Sequence, residues 1–107
     1  MSEFTEYLGE LLADFGDVSF RRMFGGYGVF RDGVMFALVA KDSLYLKSDA
    51  QSEPAFCAQD LKQFEYQRGA KTVAMSYLLA PEEALDDSEA LHDWAMLAYE
   101  SALRFRR

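Results

Sequence analysis

Cysteine is nearly absent. Cys57 is the single one in 107 residues, which excludes an internal disulfide and, without companion thiols, a cysteine-rich zinc centre. Proline occurs only at Pro54 and Pro81. No linker, repeat or low-complexity stretch divides the chain, so residues 1–107 are expected to form a single domain. Long apolar runs are missing too. The longest, Val34 to Ala40, falls far short of the roughly 20 residues of a membrane-spanning helix. Met1-Ser2-Glu3-Phe4 lacks the basic start of a secretory signal, and a cytoplasmic protein that avoids membranes is the expectation. Positive charge is in deficit as well, with 11 Lys and Arg against 18 Asp and Glu and a net charge of −7. Duplex binding needs clustered bases that displace counterions from phosphates. Here the bases are scattered, apart from Arg21-Arg22 and Arg104-Phe105-Arg106-Arg107, so no direct DNA binding is expected.

What the chain has is hydrophobic and aromatic: 50% apolar residues, with nine Phe and six Tyr. Phe4, Tyr7, Leu8, Leu11, Leu12 and Phe15 recur at three and four residues, one helical stripe with Ser2 as its cap and Gly16 as its stop. Residues 18–48 read as a meander of four strands. Within YGVFRDGVMFALVA, Asp32-Gly33 is a strong hairpin signal. A two-residue turn there sets Phe30 opposite Met35, Val29 opposite Phe36, Gly28 opposite Ala37 and Tyr27 opposite Leu38. Both faces of this sheet are apolar. Helices are expected to cover one, and more helix or a second subunit the other.

Ser52 is placed to cap a short helix that carries Glu53 and Pro54 in its first turn and runs to about Leu61. Strands Phe64–Arg68 and Lys71–Leu79 follow, joined at Gly69-Ala70, and Pro81 ends the second. Asp86-Asp87-Ser88 supplies caps for a last helix with the stripe Leu91, Trp94, Ala95, Ala98, Ala102 and Phe105. The order α-β-β-β-β-α-β-β-α predicts an α+β fold with a largely antiparallel sheet of about six strands, helices packed on it.

Candidate chemistry is sparse. In RRMFGGYGVF, Gly25-Gly26 can form a backbone nest for an anion, with Arg21, Arg22 and Tyr27 completing a ligand or interaction site. No P-loop is present, since a strand follows the glycines and Lys-Ser/Thr is missing. A bend that only glycine fits accounts for the same residues. His92 and Cys57 are the only imidazole and thiol, and no third residue is placed to orient them. A surface imidazole and a small hydrophobe describe them fully. Glu82-Glu83 and Asp86-Asp87 lack the spacing of a calcium loop and suit a helix start, so no metal is expected. Tyr27, Phe30, Tyr45, Tyr66 and Tyr77 lie on predicted strands without a basic groove beside them. That favours packing or an interface over base stacking. Met23, Met35 and Met75 add adaptable contact surface.

Taken in order, RRMFGGYGVFRDGVMFALV, LYLKSD, MSYLLAPEEALDD and the aromatic last helix resemble the N-terminal domain of the TfoX/Sxy family, from about Phe20 to Ala102. The resemblance implies a non-enzymatic bacterial regulator with no catalytic residues and no cofactor. Full-length members of that family activate natural competence genes together with the cyclic-AMP receptor protein, and they carry a second, helical domain. This chain stops at Arg107, so a stand-alone first domain would inherit competence regulation only in part. The expected function is an interaction domain, homodimeric, that modulates transcription through a protein partner. The alternative is a small-molecule or anion-binding module built on Arg21 to Tyr27.

Overall fold

The computed structural model describes residues 2–23, 25–57 and 63–105. The first helix, α1 (Glu3–Leu11), forms on its apolar stripe and is capped by Ser2, whose Oγ accepts the Thr5 backbone N–H at 3.2 Å. It stops short of Gly16. Tight turns, with Ala13 N bonded to Glu10 O and Phe15 N to Leu12 O, bring the Phe15 ring to 5.4 Å from that of Phe36. The helix therefore ends where Phe15 has to turn into the core. Four strands follow: β1 (Val18–Met23), β2 (Gly26–Arg31), β3 (Val34–Ala40) and β4 (Ser43–Lys47). After α2 (Glu53–Cys57) come β5 (Gln63–Arg68), β6 (Lys71–Leu79), a 3-10 turn at Glu82–Leu85 and α3 (Ser88–Phe105). Element order and α+β class are as the sequence indicates. The sheet has six strands in the order β1-β2-β3-β4-β6-β5, and each neighbouring pair is antiparallel.

Asp32 and Gly33 adopt φ of +51° and +80°, the left-handed pair that a two-residue hairpin requires. Phe30 faces Met35 as expected, but the register then shifts. Val29 faces Ala37, Gly28 faces Leu38 and Tyr27 faces Val39. A bulge at Phe36 is the cause, since the extra residue reverses the alternation of everything beyond it. Val34, Phe36 and Val39 consequently join the core cluster on one face, while Met35, Leu38 and Ala40 join a cluster on the other. Neither set could be assembled by strict alternation.

The first face is the main core. Leu8 of α1, Leu12 at its C-terminal cap, Phe56 of α2 and Leu91, Ala95, Ala98 and Ala102 of α3 close over Val29, Phe36, Leu44 and Leu46, all 3% exposed or less. Asp87 Oδ1 caps α3 by accepting the Ala90 N–H at 2.8 Å. The expected stripe of α3 fails at its end: Phe105 is 75% exposed, and Ser101 is fully buried instead. Phe105 lies at the margin of the sheet, its ring centroid 4.2 Å from the Lys47 ammonium. Ser52 also departs from its expected role. Its hydroxyl accepts from Asp49 N at 3.0 Å and from Ser101 Oγ at 2.7 Å, which ties the start of α2 to α3. Residues 58–62, where the sequence extends α2, lie outside the described residues.

The second face carries Leu38, Phe64 and Tyr77, with Met23, Met35, Ala40, Tyr45 and Met75 packed around them. All are strand residues; among the described residues, no helix side chain belongs to this cluster.

The β3–β4 turn holds Lys41 and Asp42 at φ of +50° and +57°, a conformation that costs an ordinary L-residue about 1–2 kcal/mol. Replacing Lys41-Asp42 with Asn-Gly is expected to raise stability in urea unfolding by about 1 kcal/mol.

Candidate functional site

The arginines and glycines of residues 21–27 sit on the first hairpin of the sheet. β1 and β2 are joined around Gly25, at φ +76°, and Phe24 lies outside the described residues. Arg21 pairs with Gly28 and Arg22 with Tyr27, and consecutive strand residues point to opposite faces. Arg21 lays its guanidinium over the Phe30 ring, 5.2 Å from the centroid, on the face without helices. Arg22 turns the other way. Together with Met23, Gly25, Gly26 and Tyr27 it lines an open concavity of about 440 Å³. The structure thus brings together four of the five candidates, Arg22, Gly25, Gly26 and Tyr27, and separates Arg21 from them.

The two glycines have different reasons. Gly25 supplies the left-handed turn and has open space where a Cβ would lie. A Cβ on Gly26 would stand 1.9 Å from the carbonyl oxygen of Val39, so this residue lets β2 start against the end of β3. That contact is not local in sequence, and no motif reveals it. Tyr27 is half-buried against the main core, which anchors the concavity's wall to the fold.

The other expected candidates are structural where they are described. His92 is half-buried rather than a surface imidazole. Its Nε2 lies 3.2 Å from the Leu11 carbonyl oxygen, and its ring is 5.4 Å from Phe15, joining α3 to the end of α1. The side chain of Cys57 lies outside the described residues. Among the described residues, no group of three or more His, Cys, Asp or Glu is placed to hold a metal ion, and no helix is long and apolar enough to cross a membrane. Of the aromatics, Tyr45 and Phe64 meet at 5.0 Å in a T-shaped pair on the outer face. Burial pushes the Tyr77 hydroxyl up to about 12, so it stays protonated. The Tyr66 side chain lies outside the described residues.

Three charged residues give no sign of their roles in the sequence. Arg31 lies in the corner made by the perpendicular Phe15 and Tyr99 rings, 4.5 and 4.6 Å from their centroids, and cation–π contacts of this kind contribute about 1–2 kcal/mol when desolvated. Its Nε is buried without a hydrogen-bond partner. Gly16 makes room for it, since a Cβ there would sit 2.8 Å from that nitrogen. Asp49 accepts from Arg104 Nε at 2.6 Å and Nη2 at 2.9 Å, and from the N–H groups of Gln51 and Ser52. The guanidinium holds this carboxyl well below the usual carboxylate range. Lys47 is 6% exposed, and burial lowers its pKa. Each depends on partners many residues away, so spacing gives no signal for it.

The two glycines can be told apart by mutation. Gly25→Ala is expected to cost about 1–2 kcal/mol, from its backbone angle alone. Gly26→Ala should cost about 3 kcal/mol, because the strands have to part. Urea titrations of both variants measure the difference.

The hairpin just described, the α-β-β-β-β-α-β-β-α order and the one sheet they build can be set beside known proteins. Among curated proteins, no sequence matches the chain. The family profile described as the TfoX N-terminal domain matches residues 10–102, which run from the end of α1 to the last turn of α3. On that match, the chain belongs to the TfoX N-terminal domain family.

Proposed function

We propose that the domain is a non-enzymatic cytoplasmic regulator that acts through protein contacts, pairing with a second copy of itself across the outer face of its sheet and modulating transcription through a regulator protein. One observation carries this reading. Leu38, Phe64, Tyr77, Met23, Met35, Ala40, Tyr45 and Met75 form an apolar cluster to which no described helix contributes. A sheet face of this composition is stabilised by contact with another apolar surface. Its methionines adapt to a partner's shape, and a self-complementary patch pairs by two-fold symmetry. The net charge of −7 supports contact with protein over contact with DNA, and membership of the TfoX N-terminal family supports a regulatory role.

Light scattering is expected to give the mass of a dimer. Met35→Glu or Tyr45→Glu, at half-buried positions of that face, should give folded monomers whose melting temperature, unlike the parent's, does not rise with protein concentration. A parent that stays monomeric at high concentration, or charged variants that stay dimeric, would refute the pairing. A DNA fragment at low salt should show no retardation by the domain.

A second reading is favoured by the concavity of about 440 Å³ at Arg22, Gly25, Gly26 and Tyr27: a site for a small anion. Inorganic phosphate should then raise the melting temperature, and Arg22→Ala should abolish the rise. A melting temperature indifferent to phosphate removes this reading.

A further inference from the structure

A different cavity opens where the end of α3 passes the outer face. It measures about 500 Å³ and is lined by Val34, Met35, Lys47, Met75, Tyr77 and Phe105, with Ser76 and Ala102. Small-ligand pockets span roughly 300–1,000 Å³. Hydrocarbon, thioether and aromatic groups make most of the wall, and Lys47 is the one cation among these lining residues.

Lys47 is unusual for a buried ammonium group. Such charges ordinarily have an acidic partner, yet among the described residues no carboxylate lies within ion-pair distance of it. Asp49, two residues on, is held by Arg104 at 2.6 Å and acts on Lys47 only through space, opposing part of the effect of burial. The Lys47 ammonium instead donates to the Ser76 hydroxyl and lies 5.3 Å from the Tyr77 centroid and 4.2 Å from that of Phe105. Aromatic faces compensate a cation in part, but they accept no strong hydrogen bond. The ammonium has three donors, and Ser76 takes one. A desolvated cation at the head of an apolar pocket complements a molecule with one negative end and a hydrocarbon body.

We infer that this cavity binds an amphipathic monocarboxylate, with its carboxylate on Lys47 Nζ and its alkyl or aryl portion among Val34, Met35 and Met75. A single cation suits a single negative charge. The flexible methionines admit chains of different shape. Phe105 projects from the last turn of α3 and closes the mouth over the bound molecule. The cavity shares Met35, Met75 and Tyr77 with the face proposed for pairing, so binding is measured on the monomeric Tyr45→Glu variant as well as on the parent, which separates a failure of this site from a failure of the pairing.

Octanoate is the probe, titrated into protein carrying 13C-methyl methionine, with 1-octanol and octylamine as controls. The Met35 and Met75 methyl signals are expected to shift saturably with octanoate, while Met96, on α3 and outside the cavity, stays fixed. Octanol and octylamine should bind about tenfold more weakly, the factor expected for losing a charge-assisted hydrogen bond. Lys47→Met should weaken octanoate by a similar factor. Phe105→Ala, at an exposed position that does not threaten folding, should weaken it several-fold. Octanol binding as tightly as octanoate, an absence of shifts at Met35 and Met75, or octanoate binding unchanged by Phe105→Ala would overturn the assignment. The alcohol comparison uses the parent protein, so it remains decisive even if Lys47→Met fails to fold.

Discussion

The alanine stripe of α3 is the contact on which the remaining architecture rests. Ala95, Ala98 and Ala102 are 3% exposed or less, and such small side chains let a helix axis approach the sheet closely. From that position α3 holds three separate things. His92 reaches the end of α1. Tyr99 forms one wall of the aromatic corner in which Arg31 sits. Ser101 and Arg104 grip the loop after β4 through Ser52 and Asp49. Larger residues in the stripe would lift the helix and loosen all three together, beyond their own packing cost of about 1–3 kcal/mol.

The two faces of the sheet are finished differently. The core face is satisfied within the domain by helices that cross it. Among the described residues the outer face is covered mainly by its own side chains, with Phe105 of α3 reaching its margin at Lys47: aromatic rings meet edge to face at Tyr45 and Phe64, and methionines fill in around them. Two cations border that face, Arg21 over Phe30 and Lys47 beneath Phe105. Neither has a carboxylate within ion-pair distance among the described residues.

Much of the fold was legible from local pattern. The stripe of α1, the Asp32-Gly33 turn and the Asp87 cap are written within a few residues of where they act. Features set by distant neighbours were hidden. Nothing in VMFALVA announces a bulge, because both phases of its alternation are equally apolar. Ser52 has the form of a helix cap, but Ser101 engages it from another helix. Phe105 continues a perfect apolar spacing, yet it is exposed and meets the Lys47 ammonium instead of the core. At the candidate site, the glycine step was visible, while its cause, the Val39 carbonyl beside Gly26, belongs to another strand. The split between Arg21 and Arg22 follows from strand alternation and could have been read directly.

The margins of the sheet limit how copies of the domain can associate. β1 and β5 are the outermost strands, and each bears charge along its length: Arg21 and Arg22 on one, Glu65 and Arg68 on the other. Charged margins resist being zipped to a neighbour's backbone, the route by which open sheets grow into fibres. Growth without end is thereby discouraged, and an oily surface in a concentrated cell stays compatible with a discrete, countable assembly.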